Sequence, residues 1–134
     1  MNCPCHSGNA YEDCCKPYHD GAPAPTAETL MRSRYAAYAL GLPQYIIDTT
    51  HPDNPLFIND HRLWSKQIKE FSEMTSFDGL NIHERHEEDN NATVTFTATM
   101  KQNKQDATFT ERSHFKKMAG RWLYVEGEIR DARG

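Results

Sequence analysis

The chain has 134 residues, 37% of them hydrophobic and 10% aromatic, which suits one compact core with a small appendage and excludes global disorder. Fifteen Lys and Arg stand against 19 Asp and Glu, for a net charge of −4. That balance argues against general nucleic-acid binding, which needs a dense basic face to displace counterions, but it leaves room for a protein partner.

The start, Met-Asn-Cys-Pro-Cys, has no basic segment and no apolar run behind it. It reads as no signal peptide, and with no apolar stretch of membrane-spanning length the expectation is a cytoplasmic protein. All four cysteines fall within the first fifteen residues: Cys3, Cys5, Cys14 and Cys15. A disulfide framework spreads its cysteines to staple distant loops, whereas a tight cluster points to metal. Two short pairs joined by a loop can close the tetrahedron that zinc wants. Four thiolates suit zinc best, with iron as the alternative. His6 and His19 are spare ligands should the vicinal pair Cys14-Cys15 fail to place both sulfurs. Disulfides or free thiols are the other possible states of the cluster.

Residues 20–26 are a short Pro-rich linker. Thr26 is a good N-cap, and a helix is expected over 27–40, ended by Gly41. Pro43 opens a second helix to about Thr49. After a loop from His51-Pro52 to Pro55, residues 59–74 carry a helical stripe of Leu63, Trp64, Ile68, Phe71 and Met74. The period then changes to two. Leu80, Ile82, Glu84 and His86 alternate with Asn81, His83 and Arg85. Beyond a turn at Asp89–Asn91, Val94, Phe96, Ala98 and Met100 alternate with four threonines. Residues 107–118 and 121–130 form two more strands around an Ala119-Gly120 hairpin. Helices followed by an antiparallel meander make an α+β fold. The expected architecture is an N-terminal zinc knuckle (1–19), a linker (20–26) and a cone-like body (27–134) of three helices on a curved four-stranded antiparallel sheet.

Cys3-Pro-Cys-His-Ser-Gly-Asn-Ala-Tyr-Glu-Asp-Cys-Cys15 resembles the SEC-C motif, first recognised at the C-terminus of the SecA translocation ATPase. Pro4, Ser7, Gly8 and Tyr11 match beside the four cysteines, while His6 stands where Gly is commonest. The resemblance implies a closed zinc site that docks proteins or ribosomes. The words at 26–38, 50–52 and 111–124 are similar to the YchJ-type bacterial proteins, a family without an assigned reaction. The element order resembles the nuclear transport factor 2-like cone, which implies an interior cavity. Relatives often carry a second SEC-C motif near the C-terminus, and the cysteine inventory here offers one motif.

Parity and helix facing nominate the cavity lining: Arg34, Tyr35, Tyr38, His51, Trp64, Glu111, Ser113, Trp122 and Tyr124. Glu111 sits between Phe109 and Phe115 on the expected dry face. A buried carboxylate needs a partner, and Arg34 or Arg32 on the covering helix is the expected one. The leading reading is an accessory protein whose knuckle docks a partner, the ribosome or the secretion machinery, while the cone is a scaffold or small-ligand pocket. The rival is an enzyme using Arg34, Tyr38, His51 and Glu111, and a third reading is a metal carrier. Homodimerisation is compatible with such sheets.

Overall fold

The computed structural model describes residues 1–130, so the last four residues of the expected body, 131–134, lie outside the described residues. A 3-10 turn, Tyr11–Asp13, and helix α1, Lys16–His19, belong to the cysteine-bearing segment. Helices α2 (Ala27–Leu40), α3 (Pro43–Asp48) and α4 (His61–Met74) follow, then strands β1 (Thr75–Glu88), β2 (Asn91–Gln102), β3 (Gln105–Asp106), β4 (Phe109–Met118) and β5 (Arg121–Arg130). The sheet is antiparallel in the order β1-β2-β4-β5, and β3 adds a two-residue pairing to β2. The expected fold is thus present, with one short extra strand.

Helix α2 is the central helix. The Thr26 hydroxyl accepts from Thr29 N–H at its start, and Gly41 closes it with φ 70°, a left-handed turn that favours glycine. Leu30, Met31, Arg34, Tyr35, Ala36 and Ala37 are all buried on it. Leu30, Met31, Tyr35 and Ala36 face the dry side of β2, where Ala92, Val94, Phe96, Ala98 and Met100 are buried in strict alternation. A second, smaller core joins Ala37 to Ile46, Ile47, Trp64 and Ile68 and holds α3 and α4 against α2.

Helix α4 runs into β1 with no loop, so β1 begins at Thr75 rather than near Leu80. Irregular pairing between Ile82 and Glu84 shifts the register. The residue pairing with Val94 on the dry-face register is therefore Arg85, not Glu84. Arg85 reaches back to Glu28 of α2 at 2.6 Å. His83 and His86, expected on opposite faces, are both associated with the threonine face: His83 bonds Thr97, and His86 pairs in register with Thr93. On the far side of the sheet, residues 49–51 extend the edge of β5. Tyr124 N–H donates to Thr49 O, and His51 N–H donates to Tyr124 O. This covers donors and acceptors that an edge strand otherwise exposes.

Candidate functional site

The four cysteine sulfurs all lie within 4.8 Å of one another. Cys5 Sγ is 3.6 Å from Cys14 Sγ, and Cys14 Sγ is 3.9 Å from Cys15 Sγ. Sulfurs about 2.3 Å from a shared tetrahedral metal stand about 3.8 Å apart, whereas a disulfide holds them at about 2.05 Å. The spacing fits a shared ion, and all four cysteines are free. The connecting loop is shaped to suit. Cys3 N–H donates to Asn9 O and His6 N–H to Cys3 O. His6 has φ 62°, in the left-handed region where glycine is at ease, which explains why glycine is commonest there in similar motifs. The Ser7 hydroxyl lies 3.2 Å from Cys14 Sγ and accepts from Asn9 N–H.

Crowding sets the protonation of the cluster. The neighbouring Cys15 thiol holds the Cys5 thiol down at about 4, with Ser7, Cys3 and Cys14 adding to the effect. The same proximity raises Cys15 above its ordinary value, and burial pushes Cys3 up to about 11. Neighbouring S–H groups thus favour one thiolate, and a divalent cation would replace the remaining thiol protons. Cys3, Cys5 and Cys15 are buried, and four protein donors would leave no place for water on the ion.

Neither spare histidine faces the sulfurs. His6 Nε2 donates to Phe77 O of β1 at 3.0 Å. His19 Nε2 donates to Ser33 O of α2 at 2.8 Å, and its Nδ1 accepts from the Tyr11 hydroxyl at 2.7 Å. Both rings therefore tie the knuckle to the body. Arg32 Nη1 adds a long bond to Cys5 O, and Arg121 adds one to Gly21 O. Three of the cysteines belong to the same core cluster as Leu30, Met31, Phe96 and Trp122.

A cavity of about 630 Å³ lies between α2, α4, the 55–58 loop and the dry face of the sheet. That is the size of a small-ligand pocket. Nearly half of its lining residues are aromatic: Tyr35, Tyr38, Phe57, Trp64, Phe71, Phe77, Phe96, Phe109, Phe115 and Tyr124. Leu56 also lines it and is 78% exposed, which places it at the rim. Polar groups are few. Glu111 Oε2 accepts from the hydroxyls of Ser113 and, at 3.4 Å, Tyr124. Burial raises the Tyr124 hydroxyl, and the charge of Glu111 raises it further. Tyr35, whose hydroxyl donates to Gly79 O, is pushed up to about 12 by burial.

Of the nine residues nominated from sequence, Arg34, Tyr35, Tyr38, Trp64, Glu111, Ser113 and Tyr124 line the cavity. His51 and Trp122 are not among its lining residues. His51 Nδ1 accepts from Asp53 N–H and caps its own turn, while its backbone pairs with Tyr124. Trp122 follows the parity of Tyr124 but belongs to the core that also holds Ala27, Leu30 and the cysteines. The expected Arg34–Glu111 ion pair does not form. Arg34 Nη1 instead donates to Ile46 O, Thr49 Oγ1 and Thr50 Oγ1, and the guanidinium lies 4.7 Å from the centre of the Tyr124 ring. Arg32 pairs with Glu28. A buried carbonyl near the C-terminal end of a short helix and two threonine hydroxyls hold the guanidinium instead of the carboxylate.

One contributor was missed. Gly127 lies within β5, opposite Ser113, and a Cβ placed on it would press on the Glu111 carboxyl group. A glycine inside a strand with no turn to serve is the signal for such a close approach.

A family model described as the YchJ middle NTF2-like domain matches residues 26–127. A protein of Deinococcus radiodurans, named a UPF0225 protein, is 43% identical over 129 residues, covering 92% of this chain and 86% of its relative. The solution structure of a SEC-C motif protein from Rhodopseudomonas palustris superposes with a TM-score of 0.82 at 37% identity, covering 98% of this chain and all of that one. A SEC-C motif protein from Psychrobacter arcticus gives a TM-score of 0.76 at 29% identity, over 97% of this chain and 83% of its own.

Proposed function

The chain belongs to the YchJ-type family of SEC-C proteins with an NTF2-like domain, and from that premise we propose that it is a small-ligand-binding protein whose body is braced by a zinc ion held by Cys3, Cys5, Cys14 and Cys15. The observation that carries the proposal is the cavity: about 630 Å³, walled by aromatic rings, with polar side chains at a few points only. The metal site supports it in a different way. Sulfurs buried in the common core suit a resident structural ion better than an exchangeable cargo, which weighs against a carrier. An enzyme built on Arg34, Tyr38, His51 and Glu111 lacks support from the geometry. His51 caps its own turn away from the lining, and Arg34 is already engaged.

The test is to fill the cavity. Ala98 is buried in its wall, so Ala98→Phe places a ring where a ligand would sit. Indole, titrated into the zinc-loaded wild-type chain, is expected to shift amide resonances around Tyr38, Phe71 and Phe109. The variant is expected to lose those shifts while keeping the dispersion of a folded spectrum. Equal shifts in both proteins would place the binding elsewhere and sink the proposal.

Docking, which the SEC-C resemblance implies, is a second reading favoured by one observation. One side of the knuckle packs on α2, but Gly8, Asn9, Ala10, Glu12 and Asp13 stay exposed. A protein partner, on the ribosome or in the secretion machinery, could engage that rim without disturbing the sulfurs. Asn9→Arg combined with Glu12→Arg should then abolish recovery of the partner in a pull-down and leave the melting temperature unchanged. Undiminished recovery would remove this reading.

A further inference from the structure

Resting on the reading of the cavity as a ligand pocket, we propose that its occupant is a flat apolar molecule carrying one protonated amine, with the ammonium seated on Glu111. Two residues of the lining carry charge, Arg34 and Glu111. The arginine is held away from the glutamate: its Nη1 donates among Ile46 O, Thr49 Oγ1 and Thr50 Oγ1 at the end of α3, and its guanidinium carbon lies 4.7 Å from the centre of the Tyr124 ring. The glutamate is only half engaged. Oε2 takes the hydroxyls of Ser113 and Tyr124, and Oε1 has no hydrogen-bond partner among the described residues. No cationic side chain among the described residues pairs with this carboxylate, although four Lys or Arg ion pairs form elsewhere among them.

Glu111 is half-buried on an otherwise largely apolar wall, and a carboxylate so placed gains from a paired cation. Here the backbone is adapted to keep it. A Cβ at position 127 would press on the Glu111 carboxyl group, which as the end of a flexible side chain would have to swing aside, so bare backbone in β5 lets the acid keep this position. Gly127 has no turn to make there, which leaves room for the acid as its geometric consequence. The missing cation is then supplied by the ligand. The aromatic faces around the acid suit such a molecule twice over, since they pack against its flat body and attract its charge.

Three indoles that share one ring system separate the possibilities: tryptamine, indole-3-ethanol and indole-3-acetate end in a cation, a neutral hydroxyl and an anion. Calorimetric titration into the full, zinc-loaded chain is expected to rank the amine at least about tenfold tighter than the alcohol, with the acetate weakest. Glu111→Gln should bring the amine down to the affinity of the alcohol and leave the alcohol unchanged. Should that variant unfold, the wild-type ranking decides alone. Equal binding of all three, or tightest binding of the acetate, overturns the amine assignment while the pocket stands. No binding by any of the three at millimolar concentration overturns the pocket and the assignment together.

Discussion

His19 shows how much one side chain can hold. Its Nε2 donates to Ser33 O, its Nδ1 accepts from Tyr11, and its ring lies edge-on to Tyr45. Burial lowers its pKa from the ordinary 6.5, so the folded chain keeps it neutral. As pH falls through about 6.5, the unfolded chain takes up this proton first. Its stabilising contribution is therefore complete above that pH and is lost as pH falls through the folded value. Unfolding by denaturant, followed from pH 7 to 5, should show the wild type losing more stability than His19→Gln over the same interval. A stability gap that stays constant with pH would mean that this ring does not titrate with folding. At the same scale, the sequence shows that Glu111 needs a partner but not which one. Arg34 lies close enough in the helix order to be nominated, and only the folded position of α3 reveals that its carbonyl and threonines claim the guanidinium first.

The elements most legible in the sequence are those whose ends carry their own chemistry. Helix α2 begins after Thr26 and ends before Gly41 as its caps dictate, and Pro43 opens α3. Strand β2 announces itself because one face is dry and alternation is uninterrupted from Ala92 to Met100. The features that escape are set by pairing partners far away in sequence. The β1 irregularity at His83 changes which residues face α2, and no local signal distinguishes it from plain alternation. The absence of a loop between Met74 and Thr75 is hidden for a related reason: β2, far away in sequence, takes the segment up as strand. The cysteine quartet is legible for the opposite reason. Ligand spacing is a property of the chain itself, and the folded sulfurs stand at metal-sharing distances. The cavity is legible as far as parity reaches, which is why Trp122 was placed one residue pair too generously.

At the scale of the whole molecule, knuckle and body share one core. Cys3, Cys5 and Cys15 lie in the same cluster as Phe96, Phe115 and Trp122, and no helix among the described residues is long and apolar enough to cross a membrane. Removal of the proposed zinc ion should consequently lower the melting temperature of the sheet, not only that of the first nineteen residues. Far-UV and near-UV circular dichroism of chelated protein are expected to report one transition, shifted down together. Two separate transitions, with the sheet melting where it did before, would show that the knuckle is a passenger. The long contact between Arg121 and Gly21 has a consequence for biosynthesis. The cysteine segment is made before β5, the strand whose Trp122 shares the cysteine core, so its enclosure waits on that strand. Throughout that interval the thiols stand open to oxidants in the growing chain, and early capture of an ion would be what carries them safely to the end of synthesis.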